Sequence, residues 1–372
     1  MPSHLMLYDK SPPQPPEDFK FLRYEELLSF VKSIFIKLGV PEEDAFVVAD
    51  NLVTADLRGI DSHGVARLRR YVDGLRKGAV KAKPNIRVVS EGPSFALVDG
   101  DSGLGQVVGS FSMKLAIRKA KESGIGFVTT RMSNHYGIAG YYAMMALEHD
   151  MIGVSMTNSR PLVAHTGAIG KWLGTNPIAL AAPTKVPPPL VIDMATSVAP
   201  MGKMEEYSRL GKRAPLGWGI DSEGNLCDDP DKIMKEGALL PLGGLGELMG
   251  GHKGYGLALF VELFTSVLSG AAMLREVGQT EAPKPANVGH FFMAVDIARF
   301  MPVEEFKERM ERLRAELKNA PMHPQFDRIW VHGEKSYLTS IKRRKEGIPI
   351  YKRVFEEMRT IAEELGIDFP WG

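Results

Sequence analysis

The spacing of apolar residues changes from a helical to a strand period near residue 86, and this change constrains the fold more than any other feature of the chain. Before it, residues 23–38 and 41–57 carry helical patterns that end next to Gly39 and Gly59, glycines of the kind that terminate helices. A third helix is expected to begin with Ser62 as its N-cap, because apolar residues at spacings of three and four follow it. The N-terminal region is therefore predicted to be helical.

Short β-rich runs follow residue 86 and alternate with helical segments. The predicted strands are residues 95–99, 125–130, 152–157, 178–182, 190–193 and 290–296. Helical patterns occupy residues 107–121, 140–148, 303–317 and 351–365. This order predicts the α/β class, with a mixed central sheet, flanking helices and a helical domain built from both termini. We expect residues 1–85 with 315–372 to form the mainly helical domain and residues 86–314 to form the α/β cofactor-binding domain.

Charge and cysteine content favour some classes of protein over others. Lys and Arg number 46 against 45 Asp and Glu, a net charge of +1, so nothing favours nucleic-acid binding. Cys227 is the only cysteine, so no intrachain disulfide is possible, and with no secretory signal this favours the cytoplasm. The Pro-rich residues before Asp18 are interpreted as an extended or flexible arm. Residues 254–274 are almost continuously apolar, but Glu262 interrupts them, so we expect a buried core helix rather than a membrane span.

Two histidines are flanked by small polar residues and a glycine at predicted element ends, where chemistry is more common than packing. His63 lies in the run DSHGVAR and His135 in the run SNHYG. The ordinary pKa of histidine, about 6.5, suits proton transfer. Arg67 follows His63 by four positions, so on a helix the two would share one face, and a planar guanidinium suits a carboxylate. No comparable argument assigns a function to Arg69 or Arg70. For each histidine, a purely structural role stays open.

Cofactor binding has one weak candidate motif and four better ones, of which one is the glycine-rich loop at residues 165–177, able to bring backbone amides near a ligand. Gly103, Gly105 and Gly109 imitate a dinucleotide fingerprint, but no acidic residue follows about twenty positions later, so they are interpreted as serving a turn and a close helix contact. The run TNS that ends at Ser159 and the run DMATS at residues 193–197 each end a predicted strand. Lys253, at the start of a helix after two glycines, suits a pyrophosphate. Helix capping by Asp193 and Thr196, or a surface role for Lys253, stays open. No spacing typical of metal ligands occurs, so no metal is expected.

These motifs, in this order and with the run GHKGYG at residues 251–256, resemble the type 2 malate/L-lactate dehydrogenase family. Relatives in that family include ureidoglycolate, sulfolactate and diketogulonate oxidoreductases and a cyclic imino-acid reductase. The resemblance runs from about Phe21 to the C-terminal region. It implies a non-Rossmann cofactor domain, NAD or NADP as the cofactor, and a homodimer with the site near the subunit boundary.

The resemblance also implies roles for particular residues. His135 matches the proton acceptor of some members and His63 the donor of others, so both are candidates and His135 is placed first. Arg67 matches the arginine that holds the substrate carboxylate, and Ser62 either contacts substrate or caps the helix. Cofactor contacts are expected at Ser159, Asp193, Met194, Ala195, His252, Lys253, Gly333 and Glu334, and Thr196 of the same strand-end run is added to them.

The predicted function is hydride transfer between NAD or NADP and a small 2-hydroxy or 2-oxo carboxylate. L-malate/oxaloacetate and L-lactate/pyruvate are the favoured pairs. Two alternatives stay open: another substrate of the family (ureidoglycolate, sulfolactate, diketogulonate or a cyclic imino acid), or a non-catalytic nucleotide- or anion-binding protein on the same fold. Arg160, Lys203 and Arg209 are conceivable partners for a 2′-phosphate. No membrane or nucleic-acid partner is expected.

Overall fold

The structure is a computed structural model that describes residues 16–371, so most of the predicted N-terminal arm lies outside the described residues. Its helices are α1 (Tyr24–Lys37), α2 (Glu42–Leu57), α3 (Leu68–Arg76), α4 (Gly105–Ser123), α5 (Ala139–Met145), α6 (Met201–Arg209), α7 (Pro230–Lys235), α8 (Gly251–Glu262), α9 (Val303–Lys318), α10 (Glu334–Glu346) and α11 (Lys352–Leu365). Its strands are β1 (Phe19–Leu22), β2 (Arg87–Glu91), β3 (Phe95–Asp99), β4 (Ile125–Ser133), β5 (Met151–Thr157), β6 (Ile178–Ala182), β7 (Leu190–Met194), β8 (Gly219–Ile220), β9 (Leu226–Cys227), β10 (Ala238–Leu239), β11 (Val288–Asp296) and β12 (Ile348–Tyr351).

Seven strands form the central sheet in the order β2-β3-β4-β11-β5-β6-β7. Only β3 and β4 pair in parallel, and every other neighbouring pair of this sheet is antiparallel. All six predicted strands are present, and the predicted α/β class with a mixed sheet and flanking helices is confirmed. Because β4 and β5 are both antiparallel to β11, their carboxyl ends meet at one edge of the sheet, beside the start of β11. That edge carries the site described below.

The first and last helices share one apolar core. Leu27 and Ile34 of α1, Leu52 of α2, and Phe355 and Met358 of α11 are all buried in it. Antiparallel pairing of β1 with β12 brings the N-terminal and C-terminal segments together. The hydrophobic effect therefore joins segments separated by more than 300 positions in sequence, and the helical region is built from both ends of the chain.

The third predicted helix starts later than Ser62, and its predicted N-cap is wrong. Two 3₁₀ turns, Asp61–His63 and Val65–Arg67, precede α3, and the chain bends at Gly64 between them. The reason is Asp56, whose buried carboxylate accepts a hydrogen bond from the Val65 amide at 2.8 Å. A Cβ at Gly64 would lie 1.9 Å from an oxygen of that carboxylate, so the bend requires glycine there. His63 and Arg67 are therefore not on one continuous α-helix.

The apolar segment at residues 254–274 is not a buried core helix, which corrects the sequence-based expectation. Helix α8 begins at Gly251, ends at Glu262 and continues as a π-helical turn, Leu263–Val267. Glu262 is buried, and its carboxylate accepts hydrogen bonds from Nδ2 of Asn176 and from the Leu274 amide. The opposite face is exposed: Leu257, Phe260, Leu263 and Val267 are 39–55% accessible. Among the described residues, no helix has the length and apolar content needed to cross a membrane.

Candidate active site

Both histidines line one cavity of about 120 Å³, at the sheet edge where the helical region packs against the strand ends. His63, Arg67 and Arg70 come from the 3₁₀ turns and the first turn of α3. His135 follows β4, and Ser159 follows β5. Further lining residues are Tyr136, Gly137, Arg160, Thr175, Pro177, Gly202, Glu205, Gln279, Thr280 and Glu281. The volume suits a small organic acid, because sites for drug-sized ligands are several times larger.

The two imidazoles are stacked, with ring centroids 5.8 Å apart and planes 22° from parallel. Nδ1 of His63 lies 2.9 Å from Oγ of Ser62. Ser62 therefore neither caps a helix nor stands free, and it orients the His63 ring. Among the described residues no hydrogen bond involves Nε2 of either ring, so these two nitrogens are available to a ligand in the cavity.

His135 is held through Nδ1. Oη of Tyr71 lies 2.6 Å from that nitrogen, and the Gly137 amide donates to it at 3.3 Å. A backbone amide can only donate, so Nδ1 of the neutral ring is an acceptor and the ring proton is on Nε2. Neutral His135 therefore presents an N–H donor to the cavity. His63 is not constrained in this way, because the Ser62 hydroxyl either donates or accepts.

The surroundings keep both histidines neutral. Burial, followed by the nearby charges of Arg67 and Arg70, lowers the pKa of His63 to about 4. Burial is also the largest cause that lowers the pKa of His135 well below its ordinary value, and Arg70 and His63 add to it. Burial raises the pKa of Tyr71 to about 12, so the hydroxyl beside His135 keeps its proton. At neutral pH the cavity thus contains two uncharged imidazoles.

Three arginines line the cavity, of which the sequence analysis singled out only one for the substrate. Nε of Arg67 donates to the Ser62 carbonyl at 2.7 Å, and its Nη2 donates to Glu205 at 3.0 Å. Nε of Arg70 lies 3.2 Å from Glu281. Arg160, considered above for a 2′-phosphate, lies in this same cavity.

Other basic residues considered above lie elsewhere. Arg69 faces away from the cavity and makes a bidentate pair with Glu364. Lys203 pairs with Glu206 on α6, and the guanidinium of Arg209 lies over the ring of Tyr351. Lys203 and Arg209 are therefore both engaged outside the cavity.

The residues predicted for the cofactor flank β7 and the loop next to it. Oγ of Ser159 accepts from the Thr175 amide at 3.1 Å and lines the cavity. Thr196 donates its hydroxyl to the Thr175 carbonyl, which joins the end of β7 to the cavity wall. The carboxylate of Asp193 accepts from the Gly140 amide at 2.8 Å, in the first turn of α5. Asp193 thus has a capping role, although for a helix far away in sequence.

Burial raises the pKa of Asp193 to about 6. Met194, the next residue, pairs with Ile178 at the start of β6 and is exposed, while Ala195 is half-buried. The end of β7 is therefore partly accessible.

The N-terminus of α8 lies one loop away from Thr196. Leu242 donates its amide to the Thr196 carbonyl, and a Cβ at Gly254 would lie 2.4 Å from the Leu242 nitrogen. His252 and Lys253 are exposed in the first turn of α8. A cavity of about 480 Å³ adjoins this turn and is lined by Lys253. Free amides at a helix N-terminus and an ammonium group are the donors that a pyrophosphate requires.

Gly333 and Glu334 lie at the other end of β7. Gly333 has a φ of 97°, and a Cβ there would lie 2.8 Å from the Pro189 carbonyl. The Glu334 carboxylate is buried and bonded to Nζ of Lys318 at 2.6 Å, so it fixes the start of α10. Residues predicted for the cofactor therefore lie at both ends of β7, a segment that we call the strip along β7, and here the carboxylate of Glu334 is already engaged.

The glycines that imitate a dinucleotide fingerprint have a packing role instead. A Cβ at Gly105 would lie 2.2 Å from the Asn134 carbonyl and one at Gly109 would lie 2.7 Å from the Tyr142 ring. Because these two glycines lack side chains, α4 can approach the segment that carries His135. The sequence-based interpretation of these glycines as a close helix contact agrees with this packing.

A larger open groove of about 1020 Å³ lies between α2, α4 and α5. Acidic residues of α2 and basic residues of α4 line it, and neither catalytic candidate histidine does. We therefore assign the chemistry to the smaller cavity.

Sequence reasoning missed Arg70, Tyr71 and the two carboxylates that face the arginines. A usable signal was present for the first two, because His63, Arg67 and Arg70 have spacings of four and three, and Tyr71 is next. Glu205 and Glu281 lie more than 130 positions away from the arginines they contact, and no local pattern identifies them.

The chain is similar to known proteins over most of its length. A family model described as malate/L-lactate dehydrogenase matches residues 22–359. The malate dehydrogenase of Pyrococcus horikoshii is 59% identical over 344 residues, which cover 92% of this chain and 95% of that protein. The L-sulfolactate dehydrogenase of Methanocaldococcus jannaschii is 41% identical over 348 residues, with 93% and 98% covered. The solved structure of malate dehydrogenase from Pyrococcus horikoshii matches with a TM-score of 0.90 at 54% identity and covers 97% of this chain and 99% of its own.

Proposed function

The chain belongs to the malate/L-lactate dehydrogenase family, and from that premise we propose that it interconverts L-malate and oxaloacetate, with L-lactate and pyruvate as the second candidate pair. As a member of this family it is an oxidoreductase that transfers a hydride between a nicotinamide nucleotide and a small 2-hydroxy or 2-oxo carboxylate. One observation carries the assignment of residues: two neutral histidines and three arginines converge on a single small cavity.

In the direction of oxidation, a bound nicotinamide nucleotide would supply the acceptor for the hydride on the carbon that bears the hydroxyl. Arg67 pairs with the carboxylate next to that carbon. Its guanidinium is attached to the His63 turn through the Ser62 carbonyl, so carboxylate and proton acceptor are held at a fixed separation. A substrate held at this fixed separation is already oriented for reaction, which lowers the entropic part of the activation barrier.

The hydrogen bonds support a division of work between the two histidines. Nδ1 of His135 accepts from the Gly137 amide, so its Nε2–H is suited to hold the substrate oxygen as a donor. His63 is then the group that takes the hydroxyl proton at Nε2, with the Ser62 hydroxyl accepting from Nδ1. In the reverse direction His63 returns the proton. This order differs from the one drawn from the family resemblance, which places His135 first.

For the cofactor we propose the strip along β7. Ser159 with Asp193, Met194 and Ala195 would hold the nicotinamide ribose and ring, and the first turn of α8 with His252 and Lys253 would hold the pyrophosphate. Support comes from the exposed N-terminus of α8 and its adjoining cavity of about 480 Å³. Thr196 and Glu334 would stabilise the strip rather than contact the cofactor, because both side chains are buried and hydrogen-bonded to other protein groups. Gly333 provides the space for that packing.

The choice of malate rests on the relatives. One relative is named malate dehydrogenase and another L-sulfolactate dehydrogenase. The substrates in both names are three- or four-carbon 2-hydroxy acids that carry a second acidic group. Sulfolactate is therefore the third candidate substrate for this chain, and NAD and NADP are both candidates for the cofactor.

We also propose a homodimer in which the exposed face of α8 is covered by a second copy. Leu257, Phe260, Leu263 and Val267 form that face, and Leu248 in the loop before α8 is fully exposed. Contiguous apolar surface of this kind is rare on monomers. Since α8 also carries Lys253, such an interface would border the proposed cofactor strip. A cytoplasmic location stays a proposal, supported by the single cysteine, Cys227.

Turnover tests the function directly. The purified protein is mixed with NADH or NADPH and with oxaloacetate, pyruvate or sulfopyruvate, and loss of the absorbance of the reduced cofactor is followed. We expect turnover, fastest with oxaloacetate. Cofactor binding without turnover on any of the three acids would instead favour a non-catalytic nucleotide-binding protein. The paired NADH and NADPH rates measure the cofactor preference.

Two matched substitutions test the roles of the histidines. We expect His63→Gln to lower kcat/KM by on the order of a hundredfold or more, because the proton acceptor is lost. His135→Gln keeps an N–H donor at a similar place and should cost only about tenfold. His149→Gln, at an exposed position, is the control. A loss of only a few-fold for both cavity variants would contradict the mechanism.

A further inference from the structure

We propose that Arg70, with Arg160 beside it, binds a second acidic group of the substrate, so that the cavity selects a dicarboxylate over a monocarboxylate. The inference rests on the proposed function and adds the residues that would distinguish malate from lactate.

Arg70 has hydrogen-bond donors that no described residue uses. Its side chain is 19% accessible, and what is accessible opens into the cavity. Nε lies 3.2 Å from Glu281, whereas no described residue makes a hydrogen bond to either Nη nitrogen. A largely desolvated guanidinium with unused donors is costly unless a partner arrives. The two Nη groups form the planar fork that matches a carboxylate.

Arg67 and Arg70 lie in positions that suit two different carboxylates. Arg67 ends the 3₁₀ turn before α3, Arg70 lies in the first turn of α3, and both side chains line the cavity. Arg67 is attached to the His63 turn and so belongs beside the reacting carbon. Arg70 is then one turn further along, where the far end of a four-carbon acid would lie.

Arg160 adds a third positive charge to the lining of the cavity. Its Nη1 donates to Gln279 at 3.1 Å, which directs the guanidinium toward the loop that also carries Glu281. The pKa of Arg160 is lowered by burial and, next, by the charge of Arg70, so the two guanidinium groups are close. The charge of Glu281 offsets only part of the repulsion between these two guanidinium groups, so a further anion beside them would be stabilised.

The balance of formal charge also favours a dianion. Three arginines and two glutamates line the cavity, which leaves one positive charge when the histidines are neutral. Oxidation adds the positive charge of an oxidised nicotinamide, and reduction adds a proton on one histidine. In both directions the site therefore carries two net positive charges before the substrate binds. A dicarboxylate neutralises both charges, whereas a monocarboxylate leaves one of them uncompensated.

A structural role for Arg70 is the competing explanation. In that case the pair with Glu281 only fixes the loop at residues 278–285, and every substrate would suffer alike when it is broken. Substitution of each partner separates the two cases, because removal of Glu281 breaks the pair but leaves Arg70 for the substrate.

The experiment measures kcat/KM for oxaloacetate and for pyruvate in the full-length protein and in Arg70→Gln, Arg160→Gln and Glu281→Gln. We expect Arg70→Gln to lower the oxaloacetate-to-pyruvate ratio of kcat/KM on the order of a hundredfold, as for removal of one partner of a desolvated charge pair. Arg160→Gln should lower that ratio about tenfold. Glu281→Gln should keep the ratio or raise it. Arg69→Gln, the neighbouring arginine that pairs with Glu364 outside the cavity, is the control.

A binding measurement accompanies the kinetics. L-malate with NADH forms an unreactive complex, and the thermal protection that L-malate adds to the NADH complex should be lost in Arg70→Gln while protection by NADH alone persists. Equal losses for oxaloacetate and pyruvate in Arg70→Gln, reproduced by Glu281→Gln, would overturn the inference and assign Arg70 to the loop. Failure of the parent protein to reduce any 2-oxo acid is a separate result, because it would count against the proposed function itself.

Discussion

His63 and His135 are kept uncharged by burial and by the arginines around them, and this determines how the cavity handles protons. With ring centroids 5.8 Å apart, a charge on one imidazole opposes a charge on the other, so the pair takes up one proton at a time. An anionic substrate changes this balance, since it offsets the charges of Arg67 and Arg70. We therefore expect proton uptake to accompany binding of a 2-oxo acid rather than to precede it.

The lowered pKa of His63 predicts a pH-dependent loss of stability. The folded pKa is about 4 and the ordinary, unfolded value about 6.5, so the unfolded chain binds more protons between these values. Stability from the neutral ring is fully present above pH 6.5 and is lost as the pH falls toward 4. The shift corresponds to roughly 3 kcal/mol in total. The free energy of unfolding, measured in denaturant from pH 7 to pH 4.5, should therefore fall more steeply in the parent protein than in His63→Gln.

Parallel pH curves for the two proteins would contradict this prediction. His149→Gln serves as the matched control, because that imidazole is exposed and should leave the pH dependence of the parent unchanged.

At the scale of secondary-structure elements, the starts of α3 and α8 are the functional segments. The late start of α3 follows from the buried carboxylate of Asp56 and the space at Gly64. Its consequence is that His63 lies on a bent turn beside the strand ends instead of on a helix face. Helix α8 begins at Gly251 because Gly250 has a φ of 87°, which turns the chain sharply into the helix. Among the described residues, the amides of Gly251 and His252 make no hydrogen bond, whereas the Lys253 amide donates to the Gly250 carbonyl at 2.9 Å, so the first two amides of α8 are available to an anion.

Lys253→Gln tests the role proposed for the start of α8. Loss of the ammonium group should raise the KM for the nicotinamide nucleotide about tenfold, in line with a charge-assisted bond of about 1–2 kcal/mol, and should change kcat little. Steady-state kinetics with varied cofactor and saturating oxaloacetate measure both values. Lys37→Gln, an exposed lysine on α1, is the control. A change in kcat with an unaltered KM for the cofactor would refute the assignment.

At the scale of the whole molecule, the site depends on contacts between distant segments of the chain. Arg343 of α10 pairs with Asp61, and Arg58 at the end of α2 donates to Ser336 of α10 at 2.9 Å. The C-terminal helices therefore hold the turn that carries His63. Arg343 is one of four consecutive basic residues at 342–345, and only 17% of its side chain is accessible in this contact.

The exposed face of α8 predicts a dimer that one substitution should break. Leu263 is 51% accessible in the centre of that face, so Leu263→Lys would put a charge into the proposed interface at a cost of several kcal/mol. Light scattering coupled to gel filtration should give the mass of two chains for the parent and of one chain for the variant. Ile36→Lys, at an isolated exposed position on α1, should remain dimeric. A monomeric parent, or a dimeric Leu263→Lys, would contradict the proposal.

Much of the architecture follows from local sequence patterns, because hydrophobic period and glycine position act within a few residues. All six predicted strands and the helices at residues 23–38, 41–57 and 107–121 correspond to elements of the structure to within about three residues. The elements that were missed include β2, α7 and α10 as well as the short strands β1, β8 to β10 and β12. Of these, β1 and β12 have four residues each and pair only with each other, from opposite ends of the chain. The motifs also sufficed to identify the family, which the family model and the relatives confirm.

Only the tertiary structure decided which of these residues share a cavity and which apolar faces lie inside. Arg70 forms its ion pair with Glu281, which is 211 positions away, and the largely apolar segment at residues 254–274 is exposed on one side. Similarly, Ser62 orients a histidine instead of capping a helix, because a buried carboxylate at Asp56 bends the chain there. The physical reason is common to these cases: helix and strand patterns depend on neighbours along the chain, whereas burial, pKa and charge pairing depend on neighbours in space, which packing alone brings together.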